Sequence, residues 1–103
     1  MRILVTGGAG FVGSNLALML KRDLARAEVC AFDNLRRRGS ELALDRLRDA
    51  GVDFVHGDAE KLPFPDRSFD AVINIESSAS YPHFSRFLAE VARVLRPAGH
   101  PPR

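Results

Sequence analysis

Residues 6–13, Thr6-Gly7-Gly8-Ala9-Gly10-Phe11-Val12-Gly13 (TGGAGFVG), decide the fold of this chain. They follow Arg2-Ile3-Leu4-Val5-Thr6, a short apolar run typical of a strand that is covered on both faces of a parallel sheet. Apolar residues then recur with helical spacing from Val12 to Leu24, which predicts a first helix. The glycines satisfy both GxxGxxG and GxGxxG, so the stretch is a tight turn between a strand and a helix.

The same alternation continues along the chain. Further strands are predicted at residues 28–33, 52–55 and 69–75. Helical patterns lie between the second and third strands, with Ser40 as the expected N-cap, and after the fourth strand. Strands that alternate with helices imply a parallel sheet with right-handed crossovers. We therefore predict an α/β fold: a Rossmann-like three-layer half-fold in which four parallel strands take the order 3-2-1-4, forming one truncated domain over residues 1–103.

The connection between the third and fourth predicted strands departs from this pattern. Residues 59–68 contain Pro63 and Pro65 and cannot form a regular helix. Ten residues are nevertheless long enough to cross two intervening strands in an extended form. We expect a stiff bridge over the carboxyl edge or one face of the sheet.

The turn and the strand ends predict a nucleotide cofactor. Glycines let the backbone approach a pyrophosphate closely, where the N–H groups of a helix N-terminus face the phosphates. Asp33 follows Gly13 by 20 residues at the end of the second strand, where a carboxylate can accept hydrogen bonds from ribose hydroxyls. It would repel a 2′-phosphate and so favours NAD over NADP. Asp58, at the end of the third strand, could accept from an adenine amino group, with the Ala59 N–H as a donor to the ring.

Residues 1–58 resemble the NAD-dependent nucleotide-sugar epimerases and dehydratases of the extended short-chain dehydrogenase/reductase family. The resemblance is carried by MRILVTGGAGFVGSNLA, FDNLRRRGSE and FVHGD. It implies NAD contacts from the loop and from three strand-end positions, namely Gly7, Gly10, Phe11, Val12, Gly13, Asp33, Asn34 and Asp58. The Tyr-x-x-x-Lys pair of that family is missing, because the only tyrosine is Tyr81 and the only lysines are Lys21 and Lys61.

Residues 57–99 instead resemble class I S-adenosylmethionine-dependent methyltransferases, through GDAEKLPFPDRSFDAVINIESSASYPHFSRFLAEVARVLRPAG. This resemblance implies that Asp58 and Ala59 contact the adenine and that Ile75, Glu76 and Ser77 line the cofactor mouth. We interpret the chain as a chimera, designed or recombined, with a dehydrogenase-like half (1–58) and a methyltransferase-like half (59–99). A truncated natural gene is the alternative.

Three functions stay open at this point. The first is a minimal module that binds the adenosine and pyrophosphate part of NAD without turnover, with no catalytic residue. The second is an S-adenosylmethionine-binding, methyltransferase-like fragment, and the third is a fold with no ligand. The glycine loop favours NAD because it directs helix N–H groups at a pyrophosphate. The three histidines have no metal-like spacing, so no metal is expected.

Composition limits the partners. The chain carries 15 basic and 13 acidic residues, for a net charge of +2, which gives no reason to expect nucleic acid or a membrane surface. The sequence lacks an apolar segment of signal-peptide or membrane-spanning type, so we expect a cytoplasmic protein. The fourth strand would be an apolar sheet edge, and such edges invite pairing with another chain. We therefore expect a homodimer formed through that edge or through the final helix.

Overall fold

The computed structural model describes residues 1–35, 43–75 and 83–97. Its elements, in chain order, are β1 (Arg2–Thr6), α1 (Phe11–Asp23), β2 (Glu28–Asp33), α2 (Leu44–Asp49), β3 (Asp53–His56), β4 (Ala71–Asn74) and α3 (Phe84–Val94). The four strands form one sheet in the order β3-β2-β1-β4, and each neighbouring pair is parallel. The predicted α/β class and strand order are confirmed.

The sheet is covered on both faces, as the near-continuous apolar strands predict. On one face, α1 and α2 pack over a core that includes Ile3, Val5, Val29 and Leu47. The opposite face carries a second core, whose buried members are Leu4, Cys30, Phe32, Leu62, Phe69 and Val94. Alternate residues of each strand therefore serve different layers, because successive side chains of a strand point to opposite faces.

Helix α1 packs on the sheet through a face of small residues. Its buried positions are Gly13, Ser14 and Ala17. The predicted apolar stripe is exposed at three positions, with 59% at Val12, 43% at Met19 and 44% at Leu24. The stripe was therefore assigned to the wrong side at these three positions. The inward face carries small residues at its start because the first turn of the helix lies directly against the glycine loop.

The segment 59–68 contains neither helix nor strand, as its prolines predict. Leu62 is buried, and Phe64 packs against the second core, where its ring lies 4.9 Å from that of Phe69 in an edge-on arrangement. The segment therefore forms part of the layer that covers the sheet face opposite α1. Helix α3 completes this layer through Phe87 and Val94, while Leu88 is 51% exposed.

Strand β4 is shorter than the predicted 69–75. Phe69 instead forms a single parallel bridge with Leu95, just after α3. The Phe69 N–H donates to Val94 O at 2.9 Å, and the Arg96 N–H donates to Phe69 O at 2.7 Å. The chain itself thus pairs with the outer side of the segment that leads into β4.

Several sequence predictions lie outside the described residues, namely those for Ser40, Glu76 and Ser77. Gly51 has a φ of +82° just after α2, as expected for the glycine that ends a helix. Among residues 1–35, 43–75 and 83–97, the longest helix has 13 residues, and none is both long and apolar enough to cross a bilayer.

Candidate functional site

The carboxyl ends of the parallel strands form one edge of the sheet, and the predicted site residues gather there. The Gly8 N–H donates to Phe32 O at 3.0 Å, which joins the loop after β1 to the end of β2. The Gly57 N–H donates to Asp33 O at 3.1 Å, which joins the end of β3 to the same strand. Ligands of open α/β sheets bind at this edge.

The glycine loop is packed too tightly for side chains at two positions. A Cβ at Gly13 would lie 2.0 Å from Gly7 O, and a Cβ at Gly8 would lie 2.6 Å from the Cβ of Ala31. Gly7 itself has a φ of +74°, which glycine adopts without strain. The loop therefore passes directly against the first turn of α1 and the neighbouring strand.

The start of α1 suits a negatively charged group. Gly10 occupies the N-cap position without a side chain to cap the helix, and the first turn has no acidic residue. The first intrahelical bond runs from Ser14 N–H to Gly10 O at 2.9 Å. The N–H groups of residues 11–13 thus have no acceptor within the helix and lie at its positive end.

Asp33 is buried, with 4% of its surface exposed, and its carboxylate is bound on both oxygens. Oδ2 accepts the Ala9 N–H at 2.9 Å and Oδ1 accepts the Leu35 N–H at 2.9 Å. This side chain therefore ties the glycine loop to the end of β2. Each carboxylate oxygen can accept more than one hydrogen bond, so the contacts leave acceptor capacity for a ligand hydroxyl.

Asp58 and Ala59 lie in a turn that follows β3 after one residue, Gly57. The Glu60 N–H donates to Asp58 Oδ1 at 2.9 Å, and the Lys61 N–H donates to Asp58 O at 2.9 Å. Asp58 is exposed and Ala59 is half-buried. The turn thus presents one carboxylate and one backbone edge beside the end of β3.

The remaining predicted contacts also lie at this edge. Ile75 follows β4, and its N–H donates to Thr6 O at 3.1 Å. Asn34 follows Asp33, and its carbonyl oxygen lies 3.0 Å from His56 Nε2. Phe11 and Val12 sit at the start of α1 with 82% and 59% of their surfaces exposed.

Sequence reasoning missed a charged pair on α3. Glu90 and Arg93 bond to each other at 2.9 Å and reach across to the segment 59–68. Arg93 holds the pKa of Glu90 below its ordinary value, chiefly through this hydrogen bond, and Glu90 raises the pKa of Arg93. The available signal was the i, i+3 spacing of opposite charges on a helix whose other face must be apolar.

A separate cavity of about 360 Å³ opens near Met1 and residues 23–27. It lies by the start of β1 and the end of α1, at the amino ends of the strands. It is therefore not part of the site at the carboxyl edge.

The strand order and the flanking helices define a Rossmann-like α/β domain, and comparison with known proteins identifies its family. A family model described as "Methyltransferase domain" matches residues 5–100. The chain belongs to this methyltransferase family.

Relatives of the chain carry methyltransferase names. It is 55% identical over 86 residues to the phthiotriol/phenolphthiotriol dimycocerosates methyltransferase of Mycobacterium tuberculosis, covering 84% of this chain and 32% of that protein. It is 48% identical over 93 residues to the fatty-acid O-methyltransferase of Mycolicibacterium smegmatis, covering 90% and 33%. A solved SAM-dependent methyltransferase from Aquifex aeolicus superposes with a TM-score of 0.71 at 25% identity, covering 94% and 52%. The chain spans about a third of the length of the curated relatives it matches.

These findings correct the assignment of NAD as the cofactor and of a module without turnover as the function. Both predictions are wrong, and so is the expectation that the chain is not an enzyme, because the family and the relatives are methyltransferases. The local reason is that a glycine loop and a strand-end carboxylate suit more than one adenosine-containing cofactor.

The resemblance to two families is confirmed only for the methyltransferases. The family match begins at residue 5 and therefore includes the glycine loop, which the chimera interpretation assigned to another family. For the epimerase and dehydratase resemblance there is a distant likeness in structure. The dTDP-glucose 4,6-dehydratase of Bacillus anthracis, solved with NAD, superposes with a TM-score of 0.63 at 26% identity, covering 77% of this chain and 27% of that one. A chimeric or designed origin has no support.

Proposed function

We propose that this chain is the cofactor-binding part of an S-adenosylmethionine-dependent methyltransferase. The observation that supports the proposal most is the family match over residues 5–100, which takes in every strand end at the carboxyl edge. The residues that suit a nucleotide at the carboxyl edge thus lie within the stretch that matches the methyltransferase family.

The residues at the edge suit the chemistry of S-adenosylmethionine. Its methionine carboxylate matches the N–H groups at the start of α1, where a negative charge is stabilised. Its ribose hydroxyls match the remaining acceptor capacity of Asp33, which is fixed by the Ala9 and Leu35 N–H groups. Its adenine matches the turn formed by Asp58 and Ala59.

When bound, S-adenosylmethionine would supply a methyl group on a positively charged sulfur; the acceptor's nucleophile would bond to the methyl carbon as the carbon–sulfur bond breaks and S-adenosylhomocysteine leaves. The role of this chain is to bind and orient the cofactor. The Gly7–Gly13 loop and Asp33 are hydrogen-bonded to each other, so they hold one end of the cofactor in a fixed geometry. Fixing the reacting groups can supply a large part of the rate enhancement of such a displacement.

We propose an apolar molecule with an oxygen nucleophile as the acceptor. The name of one relative states that a fatty acid is methylated on oxygen, and that of another refers to phthiotriol dimycocerosates. Phe11 and Val12 give the start of α1 an exposed apolar surface beside the proposed methionine end. Such a surface favours contact with an apolar acceptor. The cytoplasmic location and the homodimer also stay proposals.

Calorimetric titration with S-adenosylmethionine and with NAD tests the cofactor assignment. We expect S-adenosylmethionine to bind, and NAD to bind at least about tenfold more weakly, a difference of about 1.4 kcal/mol. Asp58→Ala should weaken S-adenosylmethionine by about 1.5–3 kcal/mol, the range for hydrogen bonds to charged groups. Asp45→Ala, which removes an exposed carboxylate from α2, is the matched control and should leave the affinity unchanged. Tighter binding of NAD, or no binding of S-adenosylmethionine, would contradict the proposal.

A further inference from the structure

The segment 59–68 is held in place by side chains of α3. It contains neither helix nor strand, so its peptide groups need partners from elsewhere. Leu62 is 3% exposed and packs in the second core, which places its peptide groups away from water. Two side chains of α3 supply the missing hydrogen bonds.

Glu90 and Arg93 bind the segment as a pair. Glu90 Oε1 accepts the Leu62 N–H at 2.7 Å, and Arg93 Nη2 donates to Leu62 O at 2.8 Å. Both peptide groups of this residue are thus bonded from one helix, as a neighbouring strand would bond them. Arg93 Nη1 also donates to Phe64 O at 2.7 Å and to Asp66 Oδ1 at 2.9 Å.

The bonded stretch begins directly after the Asp58–Ala59 turn. The Lys61 N–H closes that turn on Asp58 O, and Leu62 is the next residue. On its other side the turn is anchored by the Gly57 N–H, which donates to Asp33 O. The turn is therefore held between β2 on one side and α3 on the other. Without the α3 anchor the turn would be held on one side only, through β3 and the Gly57 N–H bond to β2.

We propose that Glu90 and Arg93 are positioning residues for the adenine-binding turn. Their hydrogen bonds go to Leu62, Phe64 and Asp66, so they act on the turn through the backbone that follows it. The inference rests on the proposed function, since it requires that the turn contacts an adenosine-containing cofactor. A fixed turn loses less conformational freedom when the ligand binds, so the pair contributes to affinity through preorganisation.

Binding of S-adenosylhomocysteine and of adenosine to the full chain tests this role by calorimetry. Arg93→Gln removes the donors to Leu62 O and Phe64 O and should weaken both ligands about five- to tenfold, since one hydrogen bond is worth about that much. Arg93→Lys keeps the charge beside Glu90 but cannot make the forked contacts, so it should recover part of the affinity. Arg96→Gln is the matched control. Arg96 bonds Arg67 O and Asp70 at 3.1 and 3.0 Å, away from the turn, and its loss should leave binding unchanged.

Amide spectra distinguish positioning from a general loss of stability. In the wild type, adenosine should shift the amide signals of Ala59 and Glu60, and Arg93→Gln should reduce these shifts at ligand saturation while the signals of β1 stay unchanged. Should Arg93→Gln fail to fold, Glu90→Gln takes its place, because it removes the charge and keeps an oxygen acceptor for the Leu62 N–H.

The two proposals fail in different ways. A wild type that binds neither ligand would refute the proposed function and the inference with it. A wild type that binds both, together with an Arg93→Gln variant of equal affinity and unchanged amide shifts, would refute the inference alone.

Discussion

Replacement of Gly13 by alanine tests how closely α1 approaches the glycine loop. The new Cβ would lie 2.0 Å from Gly7 O and 2.8 Å from Gly7 C, whereas ordinary contact begins at 3.4 Å. Both neighbours are backbone atoms, so the loop or the helix must move by more than 1 Å. Alanine should favour the helix by about 1 kcal/mol over glycine. Overpacking of this kind costs about 1–3 kcal/mol or more, and the short distance puts it at the upper end.

We therefore expect Gly13→Ala to lower the free energy of unfolding by about 2 kcal/mol. Urea denaturation followed by circular dichroism measures it, and with a slope of about 1.5 kcal/mol per molar the midpoint should fall by roughly 1.3 M. Gly57→Ala is the matched control. Its Cβ would lie 3.2 Å from two ring atoms of Phe32, so only a few tenths of an ångström of movement are needed and the loss should stay below about 1 kcal/mol. An unchanged or higher midpoint in Gly13→Ala would refute the close approach, because helix propensity would then outweigh any clash.

Three further predictions concern titration, reactivity and assembly. Hydrogen bonding by Arg93 lowers the pKa of Glu90. The ionised Glu90 therefore contributes its full stabilisation above the ordinary pKa of 4.5, and this stabilisation is lost as the pH falls below that value. Urea midpoints of wild type and Glu90→Gln should converge in acid, and a difference that stays constant with pH would contradict this. Burial raises the pKa of the Cys30 thiol to about 11, so alkylation by iodoacetamide at pH 8 should be at least about a hundredfold slower than in the urea-unfolded chain, and equal rates would show that the thiol is accessible. Sedimentation equilibrium should give twice the monomer mass of 11.3 kDa if the predicted homodimer forms. A dimer that Leu88→Lys disrupts would be assigned to α3, and a dimer that persists in this variant would be assigned to the β4 edge. A mass of 11.3 kDa would reject the homodimer.

The sequence predicted the sheet because each strand carries its own evidence. The run from Ile3 to Val5 is apolar without interruption, and such a strand must be covered on both faces. Pro63 and Pro65 excluded a helix before β4, and the structure has none there. These signals are local, so a single sequence was sufficient to find them.

The inward faces of the helices were harder to predict, since apolar residues of a helix can lie either against the sheet or on the exposed side. In α1 the residues that face the sheet include Gly13 and Ala17, while Met19 is 43% exposed. A count of apolar positions cannot anticipate this, because the inward face is chosen by the space that the glycine loop leaves. The contribution of Arg93 was hidden for a related reason. Its spacing from Glu90 is visible in the sequence, but its contacts with the carbonyl oxygens of Leu62 and Phe64 are not, because backbone acceptors leave no sequence pattern.

The cofactor was the largest error, and the surroundings of Asp33 give its physical cause. The carboxylate was interpreted as a ribose acceptor that selects NAD over NADP. In the structure it also binds the Ala9 N–H inside the glycine loop and the Leu35 N–H beyond β2. The Asp33 carboxylate therefore helps to hold the loop, whichever adenosine-containing cofactor binds. Its distance from the glycines follows from this contact with the loop, and therefore does not distinguish NAD from S-adenosylmethionine.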